Sequence, residues 1–111
     1  MSKKVVYSAA LWAGVVSAMS STAWAADDAA LARGKALFTA EAVPACAICH
    51  ALADAGAEGA IGPDLDELKP GKDVILKVLN EGMGAMPSFA ETMNEADQHA
   101  VADYIVSVTA Q

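Results

Sequence analysis

The five residues 46–50, CAICH, constrain this chain more than any other stretch, because they contain both of its cysteines. Cys46 and Cys49 stand two residues apart, and His50 follows at once. No other cysteine is present to pair with either thiol. Any function of the two thiols must therefore involve Cys46 and Cys49 together, and the rest of the chain must supply a fold that holds this short motif.

The first 25 residues have the pattern of a secretory signal peptide. Two lysines at 3–4 form a positive start, an uncharged and mostly apolar run covers 5–19, and A-W-A at 23–25 matches a cleavage site. The apolar run is shorter than the roughly 20 residues that a membrane-spanning helix needs. We therefore expect cleavage after residue 25, export to the periplasm, and a mature domain of residues 26–111.

The mature chain is small and acidic. The full chain has a formal charge of −7, and all 14 of its acidic residues lie beyond the expected cleavage site. Phosphates would be repelled by such a surface, which argues against nucleic acid as a partner. We expect one domain without a membrane span in the mature form. Its only aromatics are Phe38, Phe89 and Tyr104, so its core needs support from a cross-link, a metal or a cofactor.

Three segments of the mature chain predict helices, and none predicts a strand of useful length. The first helix is expected over 28–40, the second over 72–81 with Gly82 as its stop, and the third from an Asn94 cap onward. Val101, Tyr104, Ile105 and Val108 form the apolar stripe of the last helix. Glycine and proline make 51–71 and 82–93 long loops. The domain is therefore predicted to be all-α.

Four kinds of site are compatible with CAICH. A disulfide between Cys46 and Cys49 would close a tiny loop and stabilise little of the chain. A thioredoxin-like redox pair expects a βαβ pattern, which is not evident here. A structural zinc site needs four ligands, and the fourth would have to be the distant His99. The remaining possibility is a covalently attached haem.

Covalent haem is the interpretation that uses all three residues together. The two sulfurs of C-x-x-C-H attach to the haem vinyl groups, and the adjacent histidine lies under the iron as an axial ligand. A haem would also supply the missing core material and give both long loops a surface to pack against. We therefore favour haem over the other three kinds of site.

At this point the chain resembles the class I monohaem cytochromes c of bacteria over residues 28–109. The resemblance rests on the order of GKALF, CAICH, GPDL, MPSF and VADYI along the chain. It implies a small cytochrome c fold, with three main helices and long loops wrapped around one covalently attached haem c. It also implies a tight crossing of the first and last helices at Gly34, Phe38 and Tyr104.

The resemblance further assigns the proximal side of the haem. Cys46 and Cys49 would form the thioethers, and His50 would be the proximal iron ligand. The carbonyl of Pro63 in GPDL would accept a hydrogen bond from the His50 Nδ1–H, which fixes the tautomer and leaves Nε2 to face the iron. The haem pocket would also contain Leu65 and Leu68.

The distal ligand is expected from the second loop, which carries three methionines. Met86 is the best match, because the family ligand commonly stands in Met-Pro ahead of the last helix. Met83 is the second choice, and Met93 is more simply a core residue. His99 lies off the apolar stripe of its helix and is expected to be a solvated surface residue.

A haem iron with both axial positions filled has no vacant site for a substrate. We therefore expect a one-electron carrier that cycles between Fe(III) and Fe(II), rather than an enzyme. The resemblance implies a periplasmic dehydrogenase as donor, for example for sulfite or alcohols, and an oxidase or another cytochrome as acceptor. We expect a monomer whose acidic surface either steers a partner or only keeps the exported protein soluble.

Two other classes of protein stay open at this point. A five-coordinate haem would bind a small gas or react with peroxide, although no distal acid–base histidine is evident in 82–89. A non-haem thiol–disulfide protein would carry the same two cysteines but would be colourless.

Overall fold

The computed structural model describes Ala10, Gly14 and residues 22–110. Within the described residues the helices are α1 (Thr22–Ala36), α2 (Leu65–Leu68), α3 (Lys72–Glu81) and α4 (Glu95–Thr109). The same part of the chain also has a π-turn, two 3₁₀ turns and a pair of short strands: Leu37–Glu41, Cys46–Ile48, Ala53–Ala55, β1 (Ala51–Leu52) and β2 (Ala57–Glu58). The predicted all-α class with three main helices, α1, α3 and α4, is confirmed.

The predicted signal peptide falls mostly outside the described residues. Its last residues, 22–25, belong to the first turn of α1, which begins earlier than the expected start at residue 28. Asp27 and Asp28 therefore lie inside the helix instead of capping it. The alanine-rich sequence TAWAADDAA explains the difference, because alanine has the highest helix propensity of any residue.

The strands β1 and β2 are an addition that the sequence pattern did not predict. They pair antiparallel, with Ala51 opposite Glu58 and Leu52 opposite Ala57. The connection turns at Gly56, whose φ of 62° favours glycine. A two-residue strand is too short to show the alternation of apolar and polar residues that predicts a strand, so this pair could be found only in the structure.

Helices α1 and α4 cross in backbone contact at Gly34. A Cβ at this position would lie 2.2 Å from the carbonyl oxygen of Ala100 and 2.7 Å from Cβ of Tyr104. The Phe38 and Tyr104 rings pack edge to face beside the crossing, with centroids 6.2 Å apart. The predicted tight crossing of the first and last helices is therefore confirmed.

Ion pairs surround this crossing. Arg33 donates two hydrogen bonds to Asp97, at 3.1 and 2.9 Å, and also pairs with Glu41. The Arg33 guanidinium lowers the pKa of Asp97 below its ordinary value of 3.8. This ion pair therefore stabilises the fold above that pH, and its contribution is lost as the pH falls through the lowered pKa. Solvent still reaches both side chains, with Arg33 about half exposed and Asp97 partly exposed, which keeps the contribution small.

A second polar contact joins α4 to the 3₁₀ turn after β1. The Tyr104 hydroxyl donates to Asp54 at 2.6 Å, and Lys35 approaches the same carboxylate at 3.3 Å. The hydrogen bond from Tyr104, followed by that from Lys35, lowers the pKa of Asp54. Burial and the bond to Asp54 raise the pKa of Tyr104 above its ordinary value. Tyr104 thus stays protonated and fastens the loop that follows CAICH to the helix crossing.

The predicted end of α3 and the predicted start of α4 are both confirmed. Asn94 caps α4 by accepting a hydrogen bond from the Asp97 amide at 2.8 Å. Gly82 terminates α3 with φ of 73°. Within residues 22–110, no helix is long and apolar enough to cross a membrane.

Replacing Gly34 with alanine should prevent the close approach of α1 and α4. The added Cβ would meet backbone atoms that cannot rotate away, so we expect the free energy of unfolding to fall by about 3 kcal/mol, at the upper end of overpacking costs. Denaturant unfolding of the holoprotein measures this. Gly71→Ala is the control, because nothing lies within 4 Å of its Cβ, and it should cost less than about 1 kcal/mol. Equal losses in the two variants would contradict the crossing as described.

Candidate functional site

Two cavities of the structure meet at Cys46, His50 and Met86. The larger has a volume of about 310 Å³ and the smaller about 130 Å³, and these three residues line both. Their side chains come from two separate segments: the CAICH turn supplies the first two, and the loop between α3 and α4 supplies the methionine. The fold therefore brings a thiol, an imidazole and a thioether to one place.

The CAICH turn itself is a single 3₁₀ turn. The amides of Cys49 and His50 both donate to the Cys46 carbonyl, at 3.1 and 2.9 Å. Both thiols are free, and Cys49 also lines the smaller cavity. The two sulfur atoms therefore lie close to the cavities, as attachment to one cofactor edge requires.

The pKa of Cys46 argues against a thiol–disulfide protein. Burial raises the pKa of this thiol to about 11. A redox-active thiol needs the opposite shift, because the thiolate is the nucleophile. The unmodified Cys46 is therefore protonated at neutral pH and a poor nucleophile for thiol–disulfide exchange.

His50 is held in one orientation by the loop that carries Pro63. Its Nδ1 lies 2.8 Å from the Pro63 carbonyl oxygen. A carbonyl only accepts, so Nδ1 must carry the proton, and Nε2 is left with a free lone pair for a metal. The predicted role of Pro63 as partner of the histidine is thus present in the geometry.

Two glycines let this loop approach the motif closely. A Cβ on Gly62 would lie 2.6 Å from Cε1 of His50, and one on Gly59 would lie 2.5 Å from the Cys49 carbonyl carbon. The Gly62 amide also donates to the Cys49 carbonyl at 2.7 Å. Sequence reasoning did not single out either glycine as a site residue, although Gly62 stands in the GPDL motif directly before Pro63.

The three candidate methionines occupy different environments. Met86 is partly buried and lines both cavities, whereas Met83 is 69% exposed and lines only the larger one of the two. Met93 is 5% exposed and packs in the hydrophobic core, in agreement with its expected core role. The backbones of Met83 and Met86 bond reciprocally, at 3.0 and 2.9 Å, across a two-residue turn. The geometry favours Met86 over Met83 as a group facing both cavities.

The walls of the larger cavity are almost entirely apolar. Leu65 and Leu68, which were predicted pocket residues, both lie in them. Leu68, Val74 and Met83 are each more than half exposed, which is unusual for large apolar side chains that lie together. All three line this cavity, so a flat apolar cofactor in the cavity would cover them. The residues present therefore fit a haem.

Helix α3 turns apolar side chains toward the larger cavity, which is lined by Val74, Ile75, Val78 and Leu79. Ile75 and Leu79 are also buried in the core, whereas Val74 is more than half exposed. A helix between a core and a cofactor site is apolar on two faces, and the spacing alone does not tell which face is buried by protein. Phe38, Val101 and Ile105, predicted only as packing residues, also line this cavity.

The zinc interpretation lacks its ligands. Among the described residues, no group of three or more His, Cys, Asp and Glu side chains is arranged to hold a metal ion. His99 lies on α4 with Glu95 at 3.9 Å, and it lines neither of the two cavities. It is therefore a surface histidine, as expected.

Comparison with known proteins identifies the family. Residues 29–105 match a family model described as cytochrome c oxidase, cbb3-type, subunit III, and the chain belongs to this family. It is also similar to the crystal structure of the c-type cytochrome SorU from Sinorhizobium meliloti, with a TM-score of 0.71 and 40% identity. That similarity covers 74% of this chain and 93% of SorU. No curated protein matches the chain.

The domain is therefore a class I monohaem cytochrome c, and its cofactor is one covalently bound haem c with its iron. Proteins of this kind transfer electrons to and from other redox proteins, so the chain is an electron carrier rather than a catalytic enzyme. This agrees with the fold, the cofactor and the general function that the sequence predicted.

Replacing Gly62 with alanine should disturb the orientation of His50. The new methyl group would displace the imidazole and weaken its hydrogen bond to Pro63, at a cost of about 1 kcal/mol or more. We expect a lower melting temperature and a shifted His50 Nδ1–H proton signal in the NMR spectrum of the reduced holoprotein. Gly71→Ala serves again as the control. An unchanged Nδ1–H signal in Gly62→Ala would contradict this close contact.

Proposed function

We propose that Cys46 and Cys49 bind the haem through thioether bonds, and that His50 and Met86 are its axial ligands. The observation that carries this proposal is that Cys46 and His50 of the CAICH turn and Met86 of a distant loop line both cavities. The bond from His50 Nδ1 to Pro63 supports Nε2 as the proximal iron ligand. Covalent attachment through two cysteines would keep the cofactor bound in either oxidation state.

The remaining residues of the site would tune and protect the cofactor. When bound, the haem supplies a one-electron Fe(III)/Fe(II) couple. The thioether of Met86 is a soft, neutral donor, which favours the ferrous state and raises the reduction potential. The carbonyl of Pro63 holds the His50 ring in place, and apolar walls such as Leu65 and Ile75 exclude water. Little reorganisation is then needed when the charge of the site changes.

We propose that electrons pass through the surface around the smaller cavity. Three large apolar side chains there are widely exposed: Val43 (77%), Ile48 (61%) and Ile61 (74%). Ile61 lines this cavity, Val43 adjoins Pro44 in its wall, and Ile48 lies between the two cysteines. The ionisable residues in the wall of this cavity are His50 and the two cysteines. An apolar rim of this kind suits brief contact with a redox partner, which needs desolvation but no lasting ion pairs.

Acidic side chains elsewhere would act at longer range. Asp64 accepts a hydrogen bond from the Asp66 amide and Asp66 accepts one from the Ala53 amide, while Glu67 is exposed on α2. We infer that these charges accelerate encounter with a basic partner surface at low ionic strength without entering the final contact. Their alternative role, to keep the protein soluble, predicts no salt dependence of electron transfer.

The proposed place of the protein is the periplasm. The positive start, the short apolar run and the A-W-A sequence support export and removal of residues 1–25. The part of α1 that packs on α4, around Gly34, lies beyond that cleavage point. We propose that the mature monomer accepts electrons from a dehydrogenase, for example for sulfite or alcohols, and passes them to an oxidase or another cytochrome. The description of the matching family as an oxidase subunit supports an oxidase as acceptor.

Separate replacement of Met86 and Met83 by alanine tests which methionine is the distal ligand. In Met86→Ala we expect loss of the weak long-wavelength absorption band of methionine-ligated ferric haem. We also expect the reduction potential to fall by on the order of 0.1–0.3 V, within the range that axial ligands span. Met83→Ala is the matched control and should keep both properties. Loss of the band in Met83→Ala but not in Met86→Ala would assign the ligand to Met83. If the wild-type protein itself lacks the band, an open iron and gas or peroxide chemistry would be favoured.

A charge placed on the apolar rim tests the docking surface. Ile61→Lys should lower the second-order rate of reduction by a sulfite or alcohol dehydrogenase about tenfold, because a buried, unpaired charge opposes contact. Its reduction potential should remain that of the wild type. Ala29→Lys adds the same charge on α1 and should leave the rate within about twofold. Equal rates for the two variants with an active donor would contradict docking at this rim.

A further inference from the structure

The loop that carries Met86 is fastened to the C-terminal end of α3. The Ser88 hydroxyl donates to the Asn80 carbonyl at 2.6 Å, and the Phe89 amide donates to the Leu79 carbonyl at 2.7 Å. The last carbonyls of a helix have no partner within the helix, so such contacts satisfy groups that would otherwise need water. Residues 82–89 thus fold back onto the helix that they have just left.

The Ser88 hydroxyl uses both of its hydrogen-bonding functions in this contact. Besides donating to Asn80, its oxygen accepts from the Ala90 amide at 3.2 Å. It therefore joins the end of α3 to the segment that continues toward α4. Ser88 is itself exposed, so its side chain adds no apolar packing to the core.

Gly82 permits the same return of the chain. A Cβ at Gly82 would lie 2.9 Å from the Met86 carbonyl oxygen and 3.0 Å from the Ser88 amide nitrogen. The backbone of the methionine therefore lies directly against the end of α3. Pro87 separates Met86 from Ser88, and its fixed φ makes this connection stiff. A displacement of residue 88 is then transmitted to residue 86.

We propose that Ser88 is a positioning residue for the distal ligand, which holds the Met86 loop against α3 and thereby limits how often the methionine leaves the iron. This proposal rests on the proposed function, in which Met86 is that ligand. The other polar attachment of Met86 is its reciprocal bonding with Met83 within the same loop, which does not tie the loop to the rest of the fold. Ser88 and Phe89 supply that tie.

An external ligand for the iron reports the freedom of the loop. Imidazole binds the ferric iron only in molecules whose methionine has left, so its apparent affinity is proportional to their fraction. Loosening the loop raises this fraction and tightens the apparent binding. A change that affects only overall stability would lower the unfolding free energy without changing imidazole affinity in the native state.

The test compares three variants of the ferric holoprotein by imidazole titration. Ser88→Ala should tighten apparent imidazole binding about 3- to 10-fold, as loss of one hydrogen-bonding hydroxyl implies. Ser88→Thr keeps the hydroxyl and should remain within about twofold of the wild type. Ser107→Ala is the matched control: Ser107 also donates to a helix carbonyl, that of Tyr104 at 2.7 Å, but it lies on α4 and should leave imidazole binding unchanged.

Hydrogen exchange of the Ala90 amide provides a second readout. It should become faster in Ser88→Ala than in Ser107→Ala, because its acceptor has been removed. Imidazole affinity that is equal in Ser88→Ala and the wild type would overturn the positioning role. Tighter binding of similar size in Ser107→Ala would also overturn it, since the effect would then not depend on the contact between Ser88 and the end of α3.

Met86→Ala separates failure of this inference from failure of the proposed function. If Met86→Ala loses the methionine absorption band while Ser88→Ala behaves as the wild type, Met86 is the ligand and only the role of Ser88 is wrong. If Met86→Ala keeps the band, the ligand assignment itself is wrong, and the positioning role falls with it.

Discussion

The crossing of α1 and α4 at Gly34 is the contact on which the rest of this structure depends. Because a hydrogen atom stands where other residues carry Cβ, the backbone of α1 reaches the Ala100 carbonyl. This approach brings Phe38 beside Tyr104 and places Phe38, Val101 and Ile105 along one wall of the larger cavity. Tyr104 then joins the loop after CAICH to the crossing through Asp54. A wider crossing would open this wall of the larger cavity and would also release the loop after CAICH.

The cavity is the second half of the hydrophobic core. Leu68, Val74 and Met83 are exposed in the polypeptide yet face the place where the cofactor belongs, so the chain alone leaves apolar area in water. A ligand that binds only the native state stabilises it by mass action, and covalent attachment makes this gain permanent. The small number of aromatics beyond residue 25 is understandable on this basis, because the haem takes the place of large core side chains.

The proposed ligation by His50 and Met86 would give an electron carrier rigidity on both sides of the metal. His50 is oriented by the Pro63 carbonyl, and the loop of Met86 is fastened to the end of α3. Neither contact involves an ionisable partner, so the proposed ligands would not depend on the protonation of a neighbour. No acidic residue lines either cavity, and on the proposed function the acidic side chains would affect encounter with partners more than the properties of the iron.

Much of the site could be predicted from short motifs, because its chemistry depends on neighbouring residues. The two thiols and the imidazole are consecutive enough to form one turn, and the Asn94 cap and the Gly82 stop depend only on local backbone geometry. The start of α1 and the β1–β2 pair were missed or misplaced. Helix starts depend on propensities beyond one cap, and two-residue strands have no periodic pattern.

The sequence by itself determined the covalent attachment motif, the helical class and the residue types available as ligands. It did so because these properties reside in adjacent side chains and in the 3.6-residue period of a helix. Only the tertiary structure decided between Met86 and Met83 as the group facing both cavities, and only it showed Gly62 against His50 and Ser88 against Asn80. Those contacts join segments distant along the chain or depend on how a loop folds back, and no local pattern encodes such distances.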